Sequence, residues 1–178
     1  NVSKDEGLDQ YLSYTQGGVT WSEITSGSIC TRLIEGYILS NNKGPLITIN
    51  ESDKLKRALA FTNSKIAARL GDVINPTISF TVGDIKKLPF SVNLDSLNDF
   101  NSIEIAVNIS KNEWNSHETS WNFTQNEFIK HKSQDLEESY DLYQQYWKNK
   151  FFQLHKNEEE LNRQFIEIYG LQDELTPD

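Results

Sequence analysis

Short runs of β-branched and aromatic residues alternate with turn residues over positions 1–50. Four such runs are bounded by glycine, asparagine and proline, which is typical of short strands. They lie at 19–21, 29–33, 37–39 and 46–49. We predict a strand at each of the first two runs and a β-hairpin over residues 37–49.

From residue 52 onward the apolar positions recur every three or four residues, which is the period of an amphipathic helix. The apolar stripe consists of Leu55, Leu59, Thr62, Ile66 and Leu70. This spacing predicts one helix over residues 52–72. Ser52 or Asp53 would be its N-cap, and Gly71 would end it.

Residues 77–82 alternate polar and apolar side chains with the period of a half-buried strand. Asn75-Pro76 before them is expected to form a turn, because the residue before proline avoids the helical region. Gly83-Asp84 then turns the chain into a short helical piece before Leu88-Pro89. The sequence therefore predicts a strand over residues 77–82.

After residue 90 the pattern becomes helical. We predict a helix over residues 94–109 and an aromatic-rich connector over 112–123. An amphipathic helix over 133–156 should follow. Asn157, with Glu160 three positions later, is expected to cap a second helix that ends at Gly170. These last two helices would pack as an antiparallel hairpin.

The predicted fold class is therefore α+β. A small mixed β/α unit covers residues 1–90, a helical and aromatic connector covers 91–132, and a C-terminal antiparallel helix hairpin covers 133–178. The 178 residues are 37% hydrophobic and 24% charged, as in an ordinary globular protein. No apolar run approaches the roughly 18 residues that a membrane span needs.

The single cysteine, Cys30, cannot form an internal disulfide. This fits a reducing cytoplasm, and Cys30 is expected to be a small buried side chain. The sequence starts at Asn1 without an initiator methionine or a signal-peptide pattern. These features favour an internal piece of a longer, cytoplasmic protein.

The net charge of −9 argues against nucleic-acid binding, but the charge is unevenly distributed. Residues 133–178 hold 11 acidic and 4 basic residues, whereas residues 51–90 hold 7 basic and 4 acidic ones. The candidate DNA-binding residues are Lys54, Lys56, Arg57, Lys65, Arg69, Lys86 and Lys87. Lys54, Lys65 and Arg69 fall outside the apolar stripe and are expected to face a partner. The alternative is that all seven are solvated surface charges.

Asp72, Asp84 and Lys86 have the spacing of a metal-dependent nuclease, in which two carboxylates hold Mg²⁺. The pattern is short enough to arise by chance. An aspartate after Gly83 is more simply explained by the backbone hydrogen bonds of a turn. We therefore assign no metal-binding residue.

Aromatic residues of the connector are a further candidate site. Trp114, Trp121 and Phe123 could stack on bases, although such residues more often hold a connector against a core. The three histidines are spread too widely for a metal motif, and no cluster suggests nucleophilic catalysis. No catalytic residue is assigned either.

Several stretches resemble one protein family, in that family's order. They are Phe61-Thr-Asn-Ser-Lys65, Asn75-Pro-Thr with Val82-Gly-Asp-Ile-Lys-Lys-Leu-Pro89, Trp114-Asn-Ser-His-Glu-Thr-Ser-Trp-Asn-Phe123, and the last 22 residues from Asn157 to Asp178. The family is that of the BREX phage-defence adenine-specific DNA methyltransferases, which are similar to type IIG restriction-modification methyltransferases. The resemblance covers most of residues 20–178.

The resemblance implies a non-catalytic C-terminal fragment of an adenine-N6 DNA methyltransferase. Such an enzyme uses S-adenosylmethionine and holds the extruded adenine with an Asn/Asp-Pro-Pro-aromatic tetrapeptide. That tetrapeptide does not occur in this sequence. No cofactor-binding residue is therefore assigned to this chain, and S-adenosylmethionine is expected to bind elsewhere in the parent enzyme.

By the same resemblance, residues 1–90 are part of a target-recognition domain that binds double-stranded DNA. The N-terminal methyltransferase domain of the same chain is an expected partner. The acidic C-terminal tail could dock on another BREX subunit or on a basic surface of the enzyme itself. No membrane partner is expected. The alternative is a helical interaction module that assembles the defence complex without contacting DNA.

Overall fold

The computed structural model describes residues 17–34, 36, 43–90 and 92–178. It is an α+β structure, as predicted, with a three-stranded antiparallel sheet and several helices. The strands are β1 Gly18–Trp21, β2 Thr31–Ile34 and β3 Leu46–Ile47. The α-helices are α1 Ser52–Thr62, α2 Lys65–Ile74, α3 Val82–Ile85, α4 Phe100–Asn115, α5 Glu127–Lys130 and α6 Leu136–Tyr169. A 3-10 helix, Val92–Ser96, precedes α4.

The chain forms two compact units. The first unit consists of the N-terminal part of the chain, up to and including Phe100, and of the C-terminal residues Leu161–Asp178. The second unit consists of Asn101–Glu160. The functional division at residues 90 and 132 stays a prediction.

β1 is the central strand of the sheet, whose order is β2-β1-β3. Val19 pairs with Leu33 on one side and with Ile47 on the other, and both pairings are antiparallel. A Cβ atom at Gly18 would lie 2.2 Å from the carbonyl oxygen of Ile47. Glycine at this position is therefore what allows β3 to approach β1 so closely.

Two of the predicted strands are confirmed, since β1 and β2 lie at the runs predicted for residues 19–21 and 29–33. Residues 37–42 of the predicted hairpin lie outside the described residues, and β3 pairs with β1. The expectation that Cys30 is buried is wrong, since Cys30 is exposed. Its neighbour Ile29 is the buried residue. Neighbouring side chains of an extended segment point to opposite sides.

A break at Asn63-Ser64 divides the helix predicted over residues 52–72 into α1 and α2, so the single-helix prediction is wrong. The Ser64 hydroxyl accepts a hydrogen bond from the amide of Ala67 at 3.2 Å and so caps α2. The Asn63 side chain both donates to the Thr31 hydroxyl and accepts from the Thr31 amide, each at 2.9 Å. These hydrogen bonds tie the break to β2 and stabilise it.

The ends of this helical region also differ from the prediction. Ser52 and Asp53 already lie inside α1, so neither is its N-cap. α2 passes through Gly71 and is followed by Asn75, which has extended backbone angles. Proline at position 76 disfavours the helical region for Asn75 and ends the helix there.

Residues 77–82 do not form the predicted strand. Within this described segment the pairing is a single bridge between Ser79 and Ile24. The carboxylate of Asp84 accepts hydrogen bonds from both the amide and the hydroxyl of Thr81, at 3.0 and 2.8 Å. This capping box starts α3 at Val82. Local capping therefore determines the structure here, although the alternation of polar and apolar residues predicts a strand.

The helix predicted over residues 94–109 is also different in the structure. The 3-10 helix takes its first part, and α4 then runs to Asn115, beyond the predicted end. Leu94 and Leu97 are each 1% exposed. These two buried anchors hold the segment before α4 against the core of the first unit.

α6 is one continuous helix, so the predicted antiparallel hairpin is wrong. Asn157 lies inside α6 and does not cap a second helix. Residues 136–169 contain neither glycine nor proline. The glutamates at 158–160 favour a continuing helix as well as a helix start, which explains the misleading pattern.

The predicted end of α6 at Gly170 is confirmed. Gly170 has a φ of 67°, in the left-handed region that glycine adopts without strain. The amide of Leu171 donates to the carbonyl of Ile166 at 2.9 Å, and the amide of Gly170 donates to that of Glu167 at 3.1 Å. This pair of hydrogen bonds is a Schellman motif.

An aromatic cluster around Phe61 forms the centre of the first unit. The Phe61 ring packs edge-on against Phe90 and Phe165, with centroids 5.8 and 5.9 Å apart, and stacks on Tyr169 at 5.6 Å. The Tyr169 hydroxyl also donates a hydrogen bond to the carbonyl of Pro89. The C-terminal end of α6 is thus built into the same core as α1.

Candidate nucleic-acid interface

Lys65 and Arg69 lie one turn apart on α2. Arg69 is exposed and Lys65 is half-buried. Neither side chain forms an ion pair with another described residue. Ile66 and Ala67 of the same helix are buried. α2 therefore carries two available cations on a helix that is fixed by its own buried face.

Arg57 is a structural residue rather than a free cation. Its guanidinium donates to the carbonyls of Leu97 and Asp95, at 3.1 and 3.2 Å, and to the Asp95 carboxylate at 3.1 Å. It also lies over the Phe100 ring, 5.1 Å from the centroid. With its side chain only 13% exposed, Arg57 ties α1 to the segment before α4.

Three other predicted basic residues have neighbours within the chain. Lys54 pairs with Glu51 at 2.8 Å, and this hydrogen bond and charge raise the pKa of Lys54. Lys56 lies 5.6 Å from the Phe100 centroid. Lys87 pairs with Asp84 at 3.3 Å but remains 63% exposed. The Lys54–Glu51 pair is exposed on both sides and is therefore weak, so Lys54 can exchange its partner.

Lys86 is the seventh predicted residue and is exposed directly after α3. Its position is fixed through Asp84, whose carboxylate accepts a hydrogen bond from the Asn75 side chain at 2.8 Å. Asn75 follows α2, so this bond joins α3 to the C-terminal end of α2. Lys86 is in this way attached to the helix that carries Lys65 and Arg69.

Asp84 has the environment of a structural carboxylate. Hydrogen bonds from the backbone and hydroxyl of Thr81 hold its pKa far below its usual range, and the Asn75 amide and Lys87 lower it further. Asp84 is buried, whereas Asp72 is exposed. No three His, Cys, Asp or Glu side chains among the described residues are grouped as a metal site requires.

The N-terminus of α2 is already occupied by protein groups. The Lys65 amide donates to the side-chain oxygen of Asn162 at 3.0 Å, and the Ala67 amide donates to the Ser64 hydroxyl at 3.2 Å. A phosphate at a helix N-terminus binds backbone amides that have no other hydrogen-bond partner. Two of the amides at the start of α2 are already bonded to protein groups.

Three of the four stretches that carry the family resemblance lie wholly or mostly in the first unit. Asn162 of α6 holds the start of α2 through the Lys65 amide and donates to the carbonyl of Pro177 at 3.2 Å. Phe61 contacts Phe165, and Tyr169 binds the carbonyl of Pro89. Asn162, Phe165 and Tyr169 of the last stretch are therefore packing and hydrogen-bonding residues.

The comparisons with known proteins identify the relatives of this chain. No protein-family model matches it. The "Adenine-specific methyltransferase PglX" of Lacticaseibacillus casei (strain Zhang) is 35% identical over 196 residues, an alignment that takes in 100% of this chain. The "Adenine-specific methyltransferase BrxX" of Escherichia coli O9:H4 (strain HS) is 33% identical over 165 residues, or 92% of the chain. The chain is homologous to a segment of these adenine-specific methyltransferases.

The resemblance to BREX adenine-specific methyltransferases predicted from the sequence is thereby confirmed. The chain spans 16% of the length of the PglX relative and 13% of the BrxX relative. The chain therefore aligns with only a small part of each relative.

The second unit holds the aromatic connector. Trp121 is 100% exposed and Trp114 is 58% exposed, so neither is pinned to a core in the way that connector aromatics often are. His117 pairs with Glu113 at 2.6 Å, and His155 with Glu159 at 3.4 Å. None of the described helices is both long and apolar enough to cross a membrane.

Asn63 and Asn162 have structural roles that the sequence did not predict. In the sequence, both residues stand out only as members of stretches that carry the family resemblance. Each is an asparagine inside an apparent helical pattern, where this residue is disfavoured. That local mismatch is the signal that could have drawn attention to both.

Proposed function

We propose that this chain is a non-catalytic part of an adenine-specific DNA methyltransferase of a phage-defence system, and that it positions the target DNA. The observation that carries the proposal is the pair of available cations on α2, on a chain homologous to adenine-specific methyltransferases. In this role the first unit binds the DNA backbone. Methyl transfer and S-adenosylmethionine binding belong to the larger part of the enzyme.

The proposed phosphate contacts are Lys65 and Arg69 on α2 and Lys86 after α3. These three side chains pair with no other described acidic group. Phosphate contacts need cations whose charge is not already neutralised, and they fix the position of a protein on the duplex. Lys54, Lys56 and Lys87 form a second set, since each has a neighbour within the chain.

A rigid mounting supports this proposal. α2 is fixed at its start by Asn162 and Ser64, and at its end by the bond between Asn75 and Asp84. A site on a helix that is held at both ends keeps its contacts in a defined geometry. Sequence readout would need base-edge contacts in addition, and the protein groups that make them are not assigned.

The test is binding of the chain to short duplex DNA at about 50 and about 200 mM salt. Three phosphate contacts predict that affinity falls by about fortyfold between these concentrations. The variant Lys65→Glu/Arg69→Glu/Lys86→Glu should lose this salt-sensitive binding.

A matched control has the same change of net charge in the second unit. Lys132, Lys148 and Lys156 are all exposed, and their replacement by glutamate changes the charge by the same amount. This control should retain salt-sensitive binding. Equal losses in both triple variants would show that net charge, and not the α2 surface, determines binding, and would overturn the proposal.

A second candidate function is a helical interaction module that docks on another protein. It is favoured by the exposed aromatic side chains of α6. The two functions use different units and are not exclusive. The α2 charge reversals should leave any protein docking by α6 unchanged.

A further inference from the structure

The second unit, Asn101–Glu160, has more exposed than buried large apolar side chains. Its fully buried apolar residues are Ile103 and Ile109. The exposed ones are Trp114, Trp121, Ile129, Leu136, Tyr140, Leu142, Phe151 and Phe152. A monomeric protein rarely leaves apolar patches larger than about 600 Å² in water, and larger ones mark interaction sites.

Part of this apolar surface forms a groove between α4 and α6. Ile109 and Glu113 line it from α4, and Tyr140, Trp147 and Phe151 line it from α6. Its volume is about 780 Å³. Tyr140 is 50% exposed and Phe151 is 61% exposed, so the groove walls are open to solvent. We call the exposed α6 residues Tyr140, Phe151 and Phe152, together with this groove, the aromatic face.

The rim of the aromatic face carries both signs of charge. Lys148 and Lys150 lie along α6, and Glu113 and His117 form a pair on the opposite wall. The second unit as a whole has more acidic than basic residues. An apolar core with a mixed polar rim is typical of a protein interface, whereas a DNA surface is uniformly basic.

The length of the relatives points to the occupant. This chain spans only 16% and 13% of the two methyltransferases to which it is homologous. We propose that the aromatic face packs against the part of the same methyltransferase polypeptide that lies outside the segment described by this chain. A connected segment is present at a high effective concentration, so it would outcompete a separate protein of similar affinity.

This inference does not depend on DNA binding, and its test uses no DNA. Hydroxyl-radical footprinting is applied to this chain alone and to a full-length methyltransferase that contains it. Tyr140, Phe151 and Phe152 should be modified at least about fivefold more slowly in the full-length enzyme, because an interface core excludes water. Val73, which is 81% exposed on α2 in the first unit, is the internal reference and should not change.

A pair of variants of the full-length enzyme makes the test specific. Phe151→Glu places a charge on the aromatic face and should restore the modification of Tyr140 and Phe152. Gln153→Glu places the same charge at an exposed polar position of α6 and should leave the protection intact. Circular dichroism checks that both variants keep their helix content.

Two outcomes would overturn the inference. Equal modification of the aromatic face in the isolated chain and the full-length enzyme would show that the rest of the polypeptide does not cover it. Protection that appears in the isolated chain as its concentration rises would show instead that a second copy of this chain is the occupant.

Discussion

The side-chain oxygen of Asn162 accepts a hydrogen bond from the backbone amide of Lys65 at 3.0 Å, although 97 positions separate the two residues. The other side-chain group of Asn162 donates to the carbonyl of Pro177 at 3.2 Å. One asparagine thus joins the proposed DNA-contacting helix to the C-terminal end of the chain. The last 22 residues can therefore influence the proposed DNA-binding surface by holding α2 in place.

Replacing Asn162 by alanine should destabilise the first unit by about 1–2 kcal/mol, because it leaves the Lys65 amide and the Pro177 carbonyl without their partner. Asn162→Asp is the informative comparison. It keeps the acceptor for the Lys65 amide and adds a charge that suits a helix start, but it loses the donor to Pro177. In chemical denaturation, the unfolding free energy of Asn162→Asp should therefore lie between those of wild type and Asn162→Ala. An Asn162→Ala variant as stable as wild type would contradict the proposed link.

Asp84 should make stability depend on pH in the acid range. Its pKa is held below the usual range in the folded state, so its stabilising contribution is present above about pH 4 and is lost as pH falls below that value. Asp84→Asn should be less stable than wild type at neutral pH. The difference in unfolding free energy should shrink on acidification. A difference that stays constant from pH 6 to the acid limit would show that the Thr81 hydrogen bonds do not depend on the charge of Asp84.

Arg57 and Arg69 should respond differently to the loss of the guanidinium. Arg57→Lys should lower stability by about 1–3 kcal/mol, since lysine cannot reproduce the bonds to Asp95 and Leu97. The DNA affinity of the folded fraction should stay the same. Arg69→Gln should show the reverse: unchanged thermal stability and weaker DNA binding. The two effects are separated by measuring unfolding and DNA titration on the same samples.

Asp72 is an exposed carboxylate on α2, three positions after Arg69. If DNA phosphates approach this helix, the negative charge of Asp72 repels them. Asp72→Asn should strengthen duplex binding by about twofold at low salt, with a smaller gain as salt screens the charge. Fluorescence anisotropy with a labelled duplex measures this change, and weaker binding by the variant would place the DNA elsewhere.

Patterns confined to one element were predicted well from the sequence. The first two strands follow from their β-branched runs, and the end of α6 follows from Gly170, because glycine adopts the required φ of 67°. The apolar stripe that includes Leu59 and Ile66 also identifies the buried side of α1 and α2. In these cases the local signal and the tertiary structure agree.

Features that depend on distant partners could not be predicted in this way. The break after α1 is stabilised by hydrogen bonds between Asn63 and Thr31, which are 32 positions apart. A count of positive charges placed Arg57 among the DNA-binding candidates, but its partner Asp95 removes it from the free surface. Asn157 and Glu160 have the spacing of a capping box, but α6 continues through both residues. In each case the decisive contact or competing structure is absent from the local sequence.

The decisive measurement for the proposed DNA role is the slope of log affinity against log salt for duplex binding. Contacts from Lys65, Arg69 and Lys86 predict a slope of about −2.7 for the wild-type chain. Arg69→Gln should make the slope less negative by about one, and Arg57→Lys should leave it unchanged. A slope near zero for wild type, or one that Arg69→Gln does not alter, would contradict the assignment of the DNA surface to α2.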